Sequence, residues 1–166
     1  TSDVVWLASL IGLSVIVGRV LGGWLIDRFW APGVAFVFLA VPALAYWHLA
    51  AGGTSVPVTA LSIFVIGFAA GLEFDLMAFL VARYFGMKGY GAVYGALYGF
   101  FALGAGLGPV IFGGAFDSSG SYAGLLHISA GLLVVSALML LTLGRYRTFT
   151  PTETVEATSP AVAPQP

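Results

Sequence analysis

The chain has no cysteine, and only 8% of its 166 residues are charged. Without cysteine, neither a disulfide framework nor a thiolate metal site can form. Two histidines, far apart at His48 and His127, do not make an imidazole metal site either, so no metal is expected. Soluble domains carry about 25% charged residues, and a third of that cannot cover a water-exposed surface. The near-neutral balance, a net charge of −1, lacks the basic footprint of a nucleic-acid partner. No nucleophile–base constellation is visible, so enzymatic chemistry and an organic cofactor are not expected.

What is abundant is apolar sequence: 60% hydrophobic residues and a mean hydropathy of +1.02. Five segments approach or exceed the length needed to cross a ~30 Å hydrocarbon layer. They cover about residues 4–26, 34–50, 56–81, 91–116 and 122–143. The second is short and interrupted by Pro42. None has the charged face of a surface-lying helix or the strict alternation of a membrane barrel strand. The predicted fold is all-α, a polytopic bundle of five transmembrane helices in residues 1–147. Residues 148–166 are rich in Pro, Thr and Ala, lack any hydrophobic period, and are expected to be a disordered tail.

Basic residues set the expected orientation. Arg28 follows segment one, Arg83 and Lys88 lie between segments three and four, and Arg145 and Arg147 follow segment five. The loops around Gly52–Ser55 and Asp117–Ser121 contain no Lys or Arg. The positive-inside rule then places the N-terminus outside and the C-terminus in the cytoplasm of a plasma or bacterial inner membrane. Five spans with no initiator Met and no signal peptide are read as part of a larger transporter.

Arg19 is the one basic residue that breaks this pattern. It lies eight residues before Asp27, roughly 12 Å inward along a helix, and shares a face with Ala8, Gly12 and Gly23. A charge at that depth costs ~2.5–3.5 kcal/mol on insertion scales and is a functional candidate by default. It can receive a substrate carboxylate as a bidentate pair or simply neutralise an acid on a neighbouring helix. Glu73 and Asp75 are the acids at comparable depth. Asp75 shares its face with Gly67, Gly71 and Ala78, while Glu73 points elsewhere. Desolvation and a nearby arginine pull a buried carboxylate in opposite directions, the tension a proton-coupling site requires. Structural neutralisation of Arg19 is the competing role.

Tyr90, Tyr94 and Tyr98 recur every four residues, with Gly91, Gly95 and Gly99 beside them. This spacing puts the rings on one stripe and the glycines on the next. Tyr94 and Tyr98 are candidate hydrogen-bond donors to substrate, with helix packing as the alternative; Tyr90 is an interfacial anchor. Pro109, after Gly104 and Gly108, is expected to kink this segment.

The stretch GRVLGGWLIDR (residues 18–28) resembles the loop signature of the major facilitator superfamily, roughly GxLxDRxGRR. Gly23, Leu25, Asp27 and Arg28 match, while Trp30, Ala31 and Pro32 replace the trailing residues. A second stretch, Arg83–Tyr122, is similar to the monocarboxylate porter and oxalate/formate antiporter branch at Gly86, Gly108-Pro109, Gly113, Asp117, Gly120 and Tyr122. The resemblance implies that the five segments are helices eight to twelve of twelve, the N-terminal half being absent. It implies that Arg19 takes the branch's substrate-arginine position and that Gly23, Asp27 and Arg28 form a gating loop.

The expected function is secondary transport of a small organic anion, monocarboxylate-like, by alternating access. It would act as symporter or antiporter, with proton coupling left open. The expected partners are the lipid bilayer, that anion and the missing half. A porter for another substrate (efflux or sugar) and a non-transporting membrane scaffold are the alternatives.

Overall fold

The computed structural model describes residues 2–52 and 55–146. The expected tail, Arg147 and positions 53–54 lie outside the described residues. Four helices follow one another: α1 (Ser2–Arg28), α2 (Ala31–Ala50), α3 (Val56–Ser119) and α4 (Ala123–Leu141). All four are long and apolar enough to cross a membrane. Large side chains such as Leu44, Phe100 and Val110 are more than two-thirds exposed. A surface of this kind is matched to hydrocarbon rather than water, and the chain is a membrane protein.

Helix boundaries follow local chemistry. Pro32 sits in the first turn of α2, where its missing N–H costs nothing. α2 then runs without interruption through Pro42, which is buried, contrary to the break expected there. α3 ends at Gly120, whose left-handed φ of 70° lets its N–H reach the Phe116 carbonyl at 2.7 Å. Pro109 is likewise carried inside α3 with no departure from helical backbone angles.

The 64 residues of α3 would extend ~96 Å as one straight helix. They do not run straight. At Gly86 the backbone adopts φ 71°, ψ 175°, a conformation essentially confined to glycine. Beyond it the chain folds back. Phe74 lies 6.2 Å from the Tyr98 ring and 4.8 Å from the Phe101 ring, although a continuous helix would separate residues 74 and 98 by ~36 Å. The Arg83–Lys88 stretch, expected to be an open loop, is therefore helical on both sides of one glycine. No proline or run of polar residues interrupts it, and a single rotation supplies the reversal.

α1 and the first arm of α3 (56–85) pack through interlocked small residues. Gly18 and Gly22 on α1 lie against Phe68 and Leu72 of α3, and Gly67 and Gly71 on α3 lie against Ser14 and Val15 of α1. A Cβ on Gly18 would overlap the Phe68 carbonyl, and one on Gly71 would overlap the Val15 carbonyl. A Cβ on Gly67 would meet the Ser14 hydroxyl, which is fully buried and donates to the Ile11 carbonyl at 2.8 Å. Paired GxxxG surfaces bring helix backbones close where no water is available to drive association.

α2 packs on both α3 and α4. Phe38 of α2 stacks on Phe68 of α3 at 5.2 Å, and Trp47 meets His127 of α4 edge-on at 4.7 Å. The main apolar cluster lies near the Arg28 end of the bundle, where Ile26, Ala31, Val34 and Ala35 surround Leu72 and Leu76.

Candidate functional site

The two glycine pairs set the α1–α3 spacing, and the residues next to them carry charge. Arg19 follows Gly18, and Asp75 lies one turn beyond Gly71. A Cβ on Gly71 would come within 2.9 Å of the Arg19 backbone nitrogen, so only a glycine there allows this approach. The Arg19 Nε and Asp75 Oδ2 atoms are then 3.4 Å apart, the one ion pair among the described residues. The structure thus brings together two residues 56 positions apart in sequence.

That pair is loose. A charge-assisted hydrogen bond between such groups is about 2.7–2.9 Å long. The contact is made through Nε, on one edge of the guanidinium, which leaves the opposite edge turned away from Asp75. Both side chains remain open, Arg19 at 57% and Asp75 at 41% exposure. They lie on a surface rather than in a closed pocket. Gly12 and Gly23, on the Arg19 face of α1, have nothing within 4 Å of an added Cβ. The packed stripe is the adjacent one, Gly18 and Gly22. The small residues beside Arg19 border open space.

Glu73 points away from the pair, as its two-residue offset requires. It is exposed and makes no ion pair among the described residues. The Tyr90, Tyr94 and Tyr98 rings do stack in one stripe, at 5.4 Å and then 6.4 Å. Tyr98 is placed beside Phe74, the residue preceding Asp75. It therefore neighbours the Arg19–Asp75 region through an aromatic contact rather than through a direct polar bond to either charge.

Asp27 and Arg28 close α1 and are exposed; among the described residues Asp27 has no ion-pair partner. Gly23 is on the open face described above. Two cavities of about 240 and 280 Å³ lie between α2 and α3, lined by residues such as Val41, Val65 and Phe38. Their linings are mostly apolar, with His48 and Ser62 the polar side chains of the first, and neither lining includes Arg19 or Asp75. Among the described residues no cluster of three or more potential ligands could hold a metal ion.

Sequence reasoning missed one polar assembly. After α4, Gly144 turns with φ 66° and Tyr146 folds back onto α2 and α3. The Tyr146 hydroxyl accepts the Ala31 N–H at 2.8 Å, and the Tyr84 hydroxyl donates to the Gly144 carbonyl at 2.7 Å. Partners 115 and 60 residues apart leave no local pattern; the only hint was tyrosine placed just beyond an apolar span.

A family model described as the Major Facilitator Superfamily matches residues 2–164. No curated protein and no solved structure matches the chain.

Proposed function

Because the chain belongs to the Major Facilitator Superfamily, a family of membrane transporters, we propose that it is the substrate-bearing part of a secondary transporter for a small organic anion. The substrate is monocarboxylate-like, as in the porter and oxalate/formate branch that Arg83–Tyr122 resembles, and it moves by alternating access. The two arms of α3 count as separate crossings, giving five spans corresponding to helices eight to twelve. The N-terminus faces outside and the C-terminus faces the cytoplasm, following the basic residues. The absent N-terminal half completes the substrate path.

The observation that carries this reading is the Arg19–Asp75 pair. An arginine kept charged by a loose, half-exposed carboxylate has terminal N–H donors ready for a second carboxylate. Asp75 holds Arg19 when the site is empty and yields it when substrate arrives. Protonation of Asp75 would release Arg19 and couple transport to protons. Glu73, two residues before Asp75, is the second candidate for that coupling. Tyr94 and Tyr98 line the path from the second arm of α3 (87–119) and donate to the substrate. Gly23, Asp27 and Arg28 form the gating loop.

Uptake of radiolabelled small carboxylates by the full-length transporter tests this. Arg19→Lys keeps the charge but loses the planar fork. A hydrogen bond to a charged group contributes about 1.5–3 kcal/mol, so kcat/KM should fall roughly 10–150-fold with membrane expression unchanged. Unaltered carboxylate uptake in Arg19→Lys and Arg19→Gln would remove the anion assignment and favour a porter for another substrate.

A further inference from the structure

The basic residues at the Arg28 end of the bundle are not used by the site above, and one of them is held in an unusual way. The Arg83 guanidinium lies 5.2 Å from the Phe79 ring centroid and 5.8 Å from that of Tyr146. Tyr146 is itself fixed by the Ala31 N–H, by its 5.6 Å contact with Tyr84, and by Phe79 at 6.3 Å. Tyr84, only 8% exposed, anchors the strap through the Gly144 carbonyl. Three elements therefore immobilise one cation. Yet Arg83 is exposed and has no carboxylate partner among the described residues. Stacking on aromatic rings occupies the faces of a guanidinium and leaves its edge donors free.

We propose that Arg83 and its aromatic cradle form a docking site for the phosphodiester headgroup of an anionic phospholipid, in the leaflet at this end of the bundle. Charge complementarity supports that occupant. Arg28, Lys88 and Arg145 are exposed at the same end, and Asp27 is the single acid there among the described residues. Depth supports it as well. Phe85 and Met87, on either side of the Gly86 reversal, are 55% and 72% exposed and lie between Arg83 and Lys88. Apolar side chains interleaved with cations suit the boundary between acyl chains and headgroups. A residue serving only to mark topology needs neither a fixed rotamer nor two rings to hold it. The Arg83 guanidinium presents its donors already ordered, and a phosphodiester matches them bidentately. The site is independent of the transported substrate and requires only that the bundle be embedded in a bilayer.

The test is the relative association of spin-labelled phosphatidylglycerol and phosphatidylcholine with the full chain in reconstituted vesicles. Wild type should prefer phosphatidylglycerol. Arg83→Gln should reduce that preference roughly fivefold, the worth of one cation at an anionic surface, and Lys88→Gln should reduce it less. Arg83→Lys should recover only part of the loss. Equal association of wild type with both lipids overturns the proposal without needing any variant. Equal losses in Arg28→Gln, Arg83→Gln, Lys88→Gln and Arg145→Gln overturn it too, because the attraction is then diffuse. If inorganic phosphate at the bulk concentration of the lipid displaces phosphatidylglycerol, the site is one for a soluble anion and the lipid assignment fails.

Discussion

Asp75 holds Arg19 through a single contact of 3.4 Å with both side chains partly open, so it competes with any anion the arginine binds. Asp75→Asn should remove that competition. We expect KM for a carboxylate substrate to fall and turnover to fall with it, because product release loses the carboxylate that reclaims Arg19. Uptake kinetics on membranes with matched expression measure both quantities; a rise in KM would contradict the competition. Asp27 presents the opposite case, an acid at the C-terminal end of α1 where the helix dipole disfavours an anion, without an ion-pair partner among the described residues. If it latches the other half of the transporter, Asp27→Asn should slow turnover more than it weakens substrate binding. Unchanged turnover with intact expression would make it a solvated helix end.

Helix pairs depend on a few glycines. At Gly71 an added methyl group would overlap the Val15 carbonyl, a backbone atom that cannot rotate away. Gly71→Ala should therefore destabilise the bundle by ~1–3 kcal/mol, the usual range for overpacking. It should also push Arg19 and Asp75 apart. Thermal unfolding in detergent reports the first effect, and loss of carboxylate selectivity reports the second. Gly91→Ala is the control, since nothing lies within 4 Å of a Cβ there. Gly86 tests a different mechanism. Its φ of 71° with ψ 175° strains any L side chain by ~1–3 kcal/mol, so Gly86→Ala should lower the melting temperature without touching a packed surface. An unchanged melting temperature would mean the reversal does not depend on that conformation.

For the whole molecule, the proposed orientation assigns each end of the bundle to one side of the membrane. The reversal at Gly86 places the Gly52 and Gly120 turns at one end of the bundle and Arg28, Arg83 and Tyr146 at the other. Since the chain has no cysteine of its own, single cysteines at Ser55 and Ser121 are clean probes. Both should react with an impermeant thiol reagent from outside intact cells. Labelling only after lysis would reverse the proposed orientation.

Composition and run length were enough to establish helices in a membrane, because lipid leaves the backbone no alternative but internal hydrogen bonding. The residues singled out as candidates were legible for the same reason: Arg19, Glu73 and Asp75 are charges where charge is costly. Their depth could be counted from Asp27 and Arg83, since helix rise is constant. What the sequence did not determine is who meets whom. Pro42 reads as an interruption but is absorbed, because neighbouring helices bury it. Residues 82–90 read as a loop but are helical on either side of Gly86, where one glycine conformation reverses the chain. Arg19 with Asp75 is the exception, since Asp75 shares the Gly67–Gly71 face and Glu73 does not; only the looseness and openness of that pair awaited the packed helices. The Ala31–Tyr146 and Arg83–Tyr146 contacts had no local pattern at all. Depth and polarity are properties of one helix and its solvent, whereas partnership depends on how separate helices rotate and approach, which only the packed bundle decides.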